Sequence, residues 1–101
     1  MVFLEALTQY HGKPEPLHET ASVLAYEAGK VLEHALYAYW NGNKGDDRAR
    51  KARIGFLKSE LADVIAQSVL ICEQLGVDFE DIKEMGIEKA MERFTGKEHK
   101  E

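Results

Sequence analysis

The chain has 101 residues, of which 45% are hydrophobic and 31% are charged, and its net charge is −5. This length fits one domain, since a self-sufficient core usually needs about 100 residues. The negative charge argues against a nucleic acid polymer as partner, because non-specific binding to nucleic acid needs a basic surface. A local basic patch is compatible with this charge balance.

Cysteine content and hydropathy exclude further classes. Cys72 is the only cysteine, so neither an intrachain disulfide nor a site with several thiolates can form. The first ten residues lack the basic flank and apolar core of a secretion signal. The longest nearly apolar run, Leu61 to Cys72, is shorter than the ~20 residues that a membrane span needs, and it contains Asp63. We therefore expect a cytoplasmic protein with no membrane partner.

The N-terminal half predicts two helices. A short first helix covers Val2 to Tyr10, and the prolines of the segment 11–16 favour an extended connector. A second helix begins near His18 or Glu19 and follows a 3.6-residue apolar pattern to Tyr39. The residues 41–45 (NGNKG) are typical of a turn and predict the end of this helix.

The C-terminal half predicts two more helices. Asp46 and Asp47 favour a helix start, and Gly76 is placed to end that third helix after Leu75. Asp78 predicts the cap of a fourth helix, with Asp81 in a capping-box-like position. We expect the apolar residues of the fourth helix to be buried. They are Phe79, Ile82, Met85, Met91 and, near the end of the helix, Phe94.

These elements predict an all-α fold, specifically an antiparallel four-helix bundle. Residues 1–96 would form a single helical domain, and residues 97–101 a charged, disordered C-terminal tail. Because small bundles with long amphipathic helices often complete their core with a second copy, we also expect oligomerisation.

An acid pair stands out on the third helix. Asp63 is the only charge between Leu61 and Cys72, and a carboxylate in apolar surroundings needs a cation or hydrogen-bond donors. Glu60 precedes it by one turn on the same face, so two carboxylates can reach one ion. Oxygen ligands of this kind suit Mg²⁺ or Mn²⁺ better than zinc. An E-x-x-D pair also occurs by chance on solvent-exposed faces, so the motif alone is weak.

The second helix offers a matching acid. Glu27 lies between Val23 and Val31 on the side of the helix that carries apolar residues. Gly29 costs roughly 1 kcal/mol in a helix interior, which indicates close approach of a helix or ligand or simply a tolerated glycine. His34 follows Glu27 by two turns and is better explained as a hydrogen-bonded helix residue than as a metal ligand.

Two segments resemble one known family. Residues 26–31 (YEAGKV) and 59–64 (SELADV) are similar to the two acidic motifs, E-E-x-x-E and E-x-x-D, of the MazG-like all-α nucleotide pyrophosphohydrolases. Residues 75–78 (LGVD), followed by Glu88, Lys89 and Arg93, resemble the passage into that family's last helix. The resemblance extends over about residues 17–94, and the E-x-x-D helix with its LGVD ending is the most specific part.

The resemblance implies a helical oligomer, a homodimer or homotetramer, that hydrolyses a nucleoside triphosphate to a monophosphate and pyrophosphate. By position, Glu27, Glu60 and Asp63 match the catalytic carboxylates that bind Mg²⁺, with Mn²⁺ as a possible substitute. Lys30, Lys89 and Arg93 are the candidate substrate-binding residues. The alternative is a weakened or inactive MazG-like oligomer that binds nucleotide or a protein partner.

The first motif departs from the family pattern at two positions. Tyr26 and Lys30 occupy the places of its leading and last glutamates. Lys30 either pairs with Glu60 or Asp63 and fills the space of an ion, or it reaches towards solvent and leaves three carboxylates for a weaker site. Four basic residues precede the acid pair and are candidates for phosphate binding: Arg48, Arg50, Lys51 and Arg53. For Arg48 and Arg50 we favour a solvated surface. Tyr37, Tyr39 and Trp40 could stack a base, but aromatic residues at a helix end are more often core or interface.

Overall fold

The structure, a computed structural model, describes residues 2–96, which form four α-helices and no strand. The predicted all-α class is confirmed for this part of the chain. The predicted tail at 97–101 lies outside the described residues. The bounds of the helices are α1 Val2–His11, α2 Leu17–Asn43, α3 Asp47–Leu75 and α4 Phe79–Thr95.

The helix ends follow the predicted capping residues closely. The Asp46 carboxylate caps α3 by accepting from the Ala49 backbone N–H at 3.0 Å. Gly76 ends α3 in the left-handed conformation, with φ +70°. The Asp78 carboxylate accepts from the Glu80 N–H at 2.9 Å, one residue earlier than the capping-box spacing predicts.

Helix α2 is longer than predicted, because it continues through the turn-forming residues Gly42 and Asn43. The side chain of Arg50 on α3 packs close to Gly42, and this contact between helices outweighs the weak helix propensity of the segment. Only Lys44, Gly45 and Asp46 remain between the two helices. Gly45 has φ +75°, a conformation in which glycine is favoured.

Helices α2 and α3 form an antiparallel hairpin with the most extensive packing in the chain. The less exposed positions recur every three or four residues on both helices, as expected for two helices that share a seam. On α2 the seam contains Thr20, Leu24, Glu27, Val31, His34, Ala38 and Asn41, and on α3 it contains Ile54, Leu57, Glu60, Val64, Gln67, Ile71 and Gln74.

Polar contacts hold the N-terminal segment against the far end of this hairpin. The Glu73 carboxylate on α3 accepts from the backbone N–H groups of Phe3 at 3.3 Å and Leu4 at 3.0 Å, which caps the start of α1. Thr20 is fully buried; its hydroxyl donates to Glu15 Oε2 at 2.6 Å and accepts from Gln74 Nε2 at 2.7 Å.

Helix α4 packs against α3 alone; it has no contact with α1 or α2. Ile82, Met85, Met91 and Phe94 are all exposed, and Phe79 is half-buried. The predicted burial of the first four is therefore wrong for a single copy, because no second helix covers the apolar side of α4. The bundle arrangement stays a prediction.

The overall dimensions are those of a flat, open molecule. Its accessible surface is 7791 Å², whereas a compact monomer of 11.4 kDa exposes about 5,800 Å². Its radius of gyration is 17.1 Å, against about 13 Å for a compact domain of this length. In the described part of the chain, no helix combines the length and hydrophobicity that crossing a membrane requires.

The side of α2 that faces away from α3 is also apolar. Leu32, Leu36 and Trp40 are exposed there, and a Cβ added at Gly29 would meet no described atom within 4 Å. The close approach that Gly29 suggested is thus not made within one copy. An apolar helix face is normally covered by another element. In the single chain this face of α2 is unpartnered.

Candidate metal site

The hairpin brings the three predicted carboxylates together. Glu27 comes from α2, whereas Glu60 and Asp63 come from one turn of α3. One carboxylate oxygen from each residue lies within 4.8 Å of the other two. We call these three residues the carboxylate cluster. Their convergence follows from the shared seam, because Glu27 and Glu60 occupy seam positions and Asp63 lies beside them.

Burial makes the charge of Glu60 costly, whereas Asp63 is exposed and does not lie in the apolar surroundings expected from its sequence neighbours. The Glu60 side chain is only 16% exposed, and its Oε2 atom is buried without a hydrogen-bond partner. A buried carboxylate oxygen needs a donor, a proton or a cation. Glu60 Oε2 is therefore the atom of the carboxylate cluster at which a proton or a cation would be stabilised.

The pKa of Glu27 is affected by the neighbouring negative charges. Its pKa is raised above the ordinary value of 4.5, chiefly because a protonated Glu27 donates a hydrogen bond to Glu60. Partial burial and the negative charges of Glu60 and Asp63 raise the pKa further, and only Lys30 opposes them. When Glu27 is ionised this hydrogen bond is lost. A proton and a metal ion would thus compete for the same oxygens.

Lys30 is the cation beside the carboxylate cluster. Its Nζ lies 3.9 Å from Glu60 Oε1, at the long end of ion-pair distances, and 4.8 Å from the centre of the Tyr26 ring. The side chain is 36% exposed. Its pKa is raised, chiefly by a hydrogen bond with the Tyr26 hydroxyl and further by the negative charge of Glu60. Lys30 thus approaches Oε1 of Glu60 and leaves Oε2 without a partner.

The other two predicted substrate-binding residues lie elsewhere. Lys89 and Arg93 belong to α4, which has no contact with α2 in the described structure. One copy of the chain therefore does not place them beside Glu27, and their role stays a prediction.

Arg53, one of the basic candidates that the sequence offers before the acid pair, is held by residues of α2. Its Nη1 donates to His34 Nδ1 at 3.2 Å, and its guanidinium lies 4.2 Å from the centre of the Tyr37 ring. The spacing places Arg53 level with His34, because Arg53 precedes Glu60 by seven residues and His34 follows Glu27 by seven. The prediction that His34 is a hydrogen-bonded helix residue is confirmed.

Comparison with known proteins identified no relative. The chain matches no protein-family model, no curated protein and no solved structure. The resemblance to MazG-like proteins therefore rests on the motif residues of the sequence alone.

The donor set of the carboxylate cluster fits a small, hard cation. Magnesium takes oxygen ligands at about 2.0–2.1 Å, so two of its ligands lie no more than about 4.2 Å apart. The oxygens of Glu27, Glu60 and Asp63 lie within 4.8 Å of one another, so the side chains would move closer together around an ion, because neighbouring ligands of an octahedral Mg²⁺ lie about 3 Å apart. The cluster has no sulfur or imidazole ligand, which favours Mg²⁺ or Mn²⁺ over zinc.

Proposed function

We propose that this protein is a Mg²⁺-dependent, MazG-like nucleotide pyrophosphohydrolase that converts a nucleoside triphosphate to a monophosphate and pyrophosphate. One observation carries the proposal: Glu27, Glu60 and Asp63 converge from two helices, and an oxygen of Glu60 is buried without a partner. These are also the residues that match the acidic motifs of the resembled family.

In this proposal, Glu27, Glu60 and Asp63 hold the metal ion. Bound Mg²⁺ would neutralise phosphate oxygens and activate or position the attacking water. Binding of the ion would stabilise Glu60 most, because its Oε2 is buried and has no hydrogen-bond partner. Glu27 must lose its proton before it can bind metal, so affinity for Mg²⁺ should fall as the pH is lowered.

Lys30 supplies positive charge at the edge of the carboxylate cluster. Its ammonium group is partly exposed and lies on the Glu60 side of the cluster, where it can meet a phosphate oxygen of a metal-bound nucleotide. In the absence of nucleotide, the same group offsets part of the negative charge on Glu60.

A second candidate function is a nucleotide-binding or protein-binding oligomer without catalytic activity. The observation that favours it is the 3.9 Å approach of Lys30 to Glu60 Oε1, because an ammonium group there weakens the attraction for a divalent ion.

The proposal includes a homodimer or homotetramer. The chain exposes about 2,000 Å² more surface than a compact monomer would, which is the area of a substantial protein–protein interface. The unpartnered faces of α2 and α4 supply the apolar surface that such an interface needs. Lys89 and Arg93 would then serve the carboxylate cluster of another copy, since α4 does not contact α2 of its own.

Pyrophosphate release tests the catalytic proposal. We expect the wild-type protein to release pyrophosphate from at least one member of a panel of nucleoside triphosphates with Mg²⁺ or Mn²⁺. Asp63→Ala should abolish this release, whereas Glu19→Gln, an exposed acid on α2 outside the cluster, should not change it. Wild-type protein that releases no more than Asp63→Ala for any nucleotide would count against the enzyme and in favour of the second candidate.

Metal titration of Lys30→Glu tests how far Lys30 restricts the site. The change replaces a positive charge by a negative one beside Glu60, so Mg²⁺ affinity should rise if the lysine competes with the ion. Isothermal titration calorimetry measures this directly. Unchanged affinity would refute competition by Lys30 and leave a three-carboxylate site that it does not obstruct.

Sedimentation velocity tests the oligomer. Leu36→Lys places a charge on the outward side of α2 and should shift the protein towards monomer, whereas Ser59→Lys, exposed on α3, should not. A wild-type protein that sediments as a monomer at micromolar concentration would rule the oligomer out.

A further inference from the structure

A second group of side chains lies two helical turns from the carboxylate cluster. We call it the Arg53 cluster, and it consists of His34 and Tyr37 on α2 with Arg53 and Phe56 on α3. Arg53 Nη1 donates to His34 Nδ1 at 3.2 Å, and the guanidinium lies over the Tyr37 ring. The His34 ring stacks on Phe56, with ring centres 5.5 Å apart. These contacts fix the guanidinium in position.

The charge of Arg53 is not neutralised by these contacts. His34 is an uncharged partner here: a guanidinium has only donors, so Nδ1 must be the acceptor and the ring proton lies on Nε2. No carboxylate lies within ion-pair distance of Arg53 among residues 2–96. A half-buried guanidinium with unused N–H donors and no counter-ion is arranged to receive an anion.

The two clusters lie on the same side of the hairpin. His34 follows Glu27 by seven residues and Arg53 precedes Glu60 by seven, and seven residues are close to two full turns. Because α2 and α3 are antiparallel, both intervals run in the same direction along the hairpin. The helical rise separates the two levels by about 10 Å. A ligand that lies along this side would meet carboxylates at one end and a guanidinium at the other.

We propose that Arg53, held by His34 and Tyr37, binds a phosphoryl group of the nucleotide's polyphosphate tail. This inference rests on the proposed function, in which the carboxylate cluster holds the metal-bound part of the same tail. A triphosphate is long enough to extend from the carboxylate cluster towards Arg53, whereas a single phosphate is not. Arg53 is thereby a substrate-binding residue, and its two partners are positioning residues.

Binding of tripolyphosphate, which has the tail but no base, tests the proposal. In calorimetric titrations with Mg²⁺, Arg53→Gln should weaken tripolyphosphate binding about tenfold or more, as expected for the loss of a charge-assisted hydrogen bond. Arg48→Gln, an exposed arginine on the same helix, should bind like the wild type. Arg53→Lys keeps the charge but loses the planar fork, so it should fall between the two.

Other probes separate the alternatives. A nucleoside without phosphate should bind equally to wild type and Arg53→Gln. If Arg53→Gln instead weakened binding of the nucleoside but not of tripolyphosphate, the proposal would be overturned in favour of a base-stacking site on Tyr37 or Phe56. Orthophosphate that binds as tightly as tripolyphosphate would overturn it in favour of an isolated anion site. Circular dichroism establishes that each variant folds, and Tyr37→Leu, which leaves all charges intact, should weaken tripolyphosphate binding less than Arg53→Gln does.

The outcomes also distinguish this inference from the proposed function. If the wild type releases pyrophosphate and Arg53→Gln leaves both KM and tripolyphosphate affinity unchanged, the inference fails and the function stands. If tripolyphosphate binds through Arg53 but no nucleotide is hydrolysed, the function fails and the binding site stands.

Discussion

Replacing Thr20 with valine removes the hydroxyl at the centre of a buried polar network while keeping the shape of the side chain. Thr20 has no exposed surface, and its hydroxyl joins the connector before α2 to the end of α3. The connector contributes the Glu15 carboxylate at 2.6 Å, and α3 contributes the Gln74 amide at 2.7 Å. The network thus sets where the start of α2 lies against α3.

The expected cost follows from the two bonds that valine cannot make. A hydrogen bond to a charged group contributes about 1.5–3 kcal/mol and a neutral one about 0.5–1.5 kcal/mol. Loss of both should lower the free energy of unfolding by about 2–4 kcal/mol, a large share of the 5–15 kcal/mol typical of a domain. For a chain of this length, Tm should fall by roughly 10 °C or more.

Urea denaturation followed by circular dichroism measures this cost, with all variants at one protein concentration because self-association would shift the midpoint. Thr20→Ser is the matched control, since it keeps the hydroxyl and loses only a methyl group. The reasoning would be refuted by a Thr20→Val protein within about 0.5 kcal/mol of wild type. It would equally be refuted if serine cost as much as valine, because the loss would then come from packing.

Three further predictions concern single side chains. The raised pKa of Glu27 means that the native state binds a proton more readily than the unfolded chain, so metal-free protein should lose stability as the pH rises from about 4.5 through the raised pKa. Glu27→Gln should lack this loss, and urea midpoints in EDTA that change in parallel with pH in both proteins would contradict the assignment. Glu73→Ala removes both acceptors at the start of α1 and should cost about 1 kcal/mol. Hydrogen exchange should show that the amides of α1 exchange faster in the variant than in wild type, whereas those of α3 change less. Equal exchange of α1 in both proteins would show that the cap contributes nothing. Leu70, only 1% exposed, should cost about 2–5 kcal/mol on truncation to alanine, and a thermal midpoint unchanged from wild type would mean that this site is not packed as described.

The helices were largely predictable because their signals are local. Asp46, Gly76 and Asp78 cap helices through their own side-chain or backbone chemistry, which depends little on the rest of the fold. The end of α2 was not predictable in this way, since Gly42 stays helical through its contact with Arg50 on another helix. Burial on α4 was not predictable either, because it depends on a neighbour that one copy of the chain does not supply.

The candidate site was predictable as a set of residues but not as an electrostatic arrangement. The spacing of Glu60 and Asp63, with Glu27 on the preceding helix, was sufficient to expect that the three would meet. Sequence reasoning left open the position of Lys30, which depends on the Tyr26 ring and on which oxygen of Glu60 it approaches. It offered Arg53 only as one of four basic candidates, and the contacts across the hairpin distinguish Arg53 from the exposed arginines of the same segment.

The three-residue connection between α2 and α3 controls a distant property. Lys44, Gly45 and Asp46 determine which residue of α2 faces which residue of α3, and they do so many residues away from the carboxylates. One added residue in either helix between this connection and Glu27 or Glu60 would turn that carboxylate by about 100° away from its counterparts. Loops usually accept insertions and deletions freely, but here a change in length would move Glu27 away from Glu60 and Asp63 without changing any of the three residues. Changes in the length of the connection should therefore be tolerated less well than a substitution at its exposed Lys44, which leaves the register of the two helices unchanged.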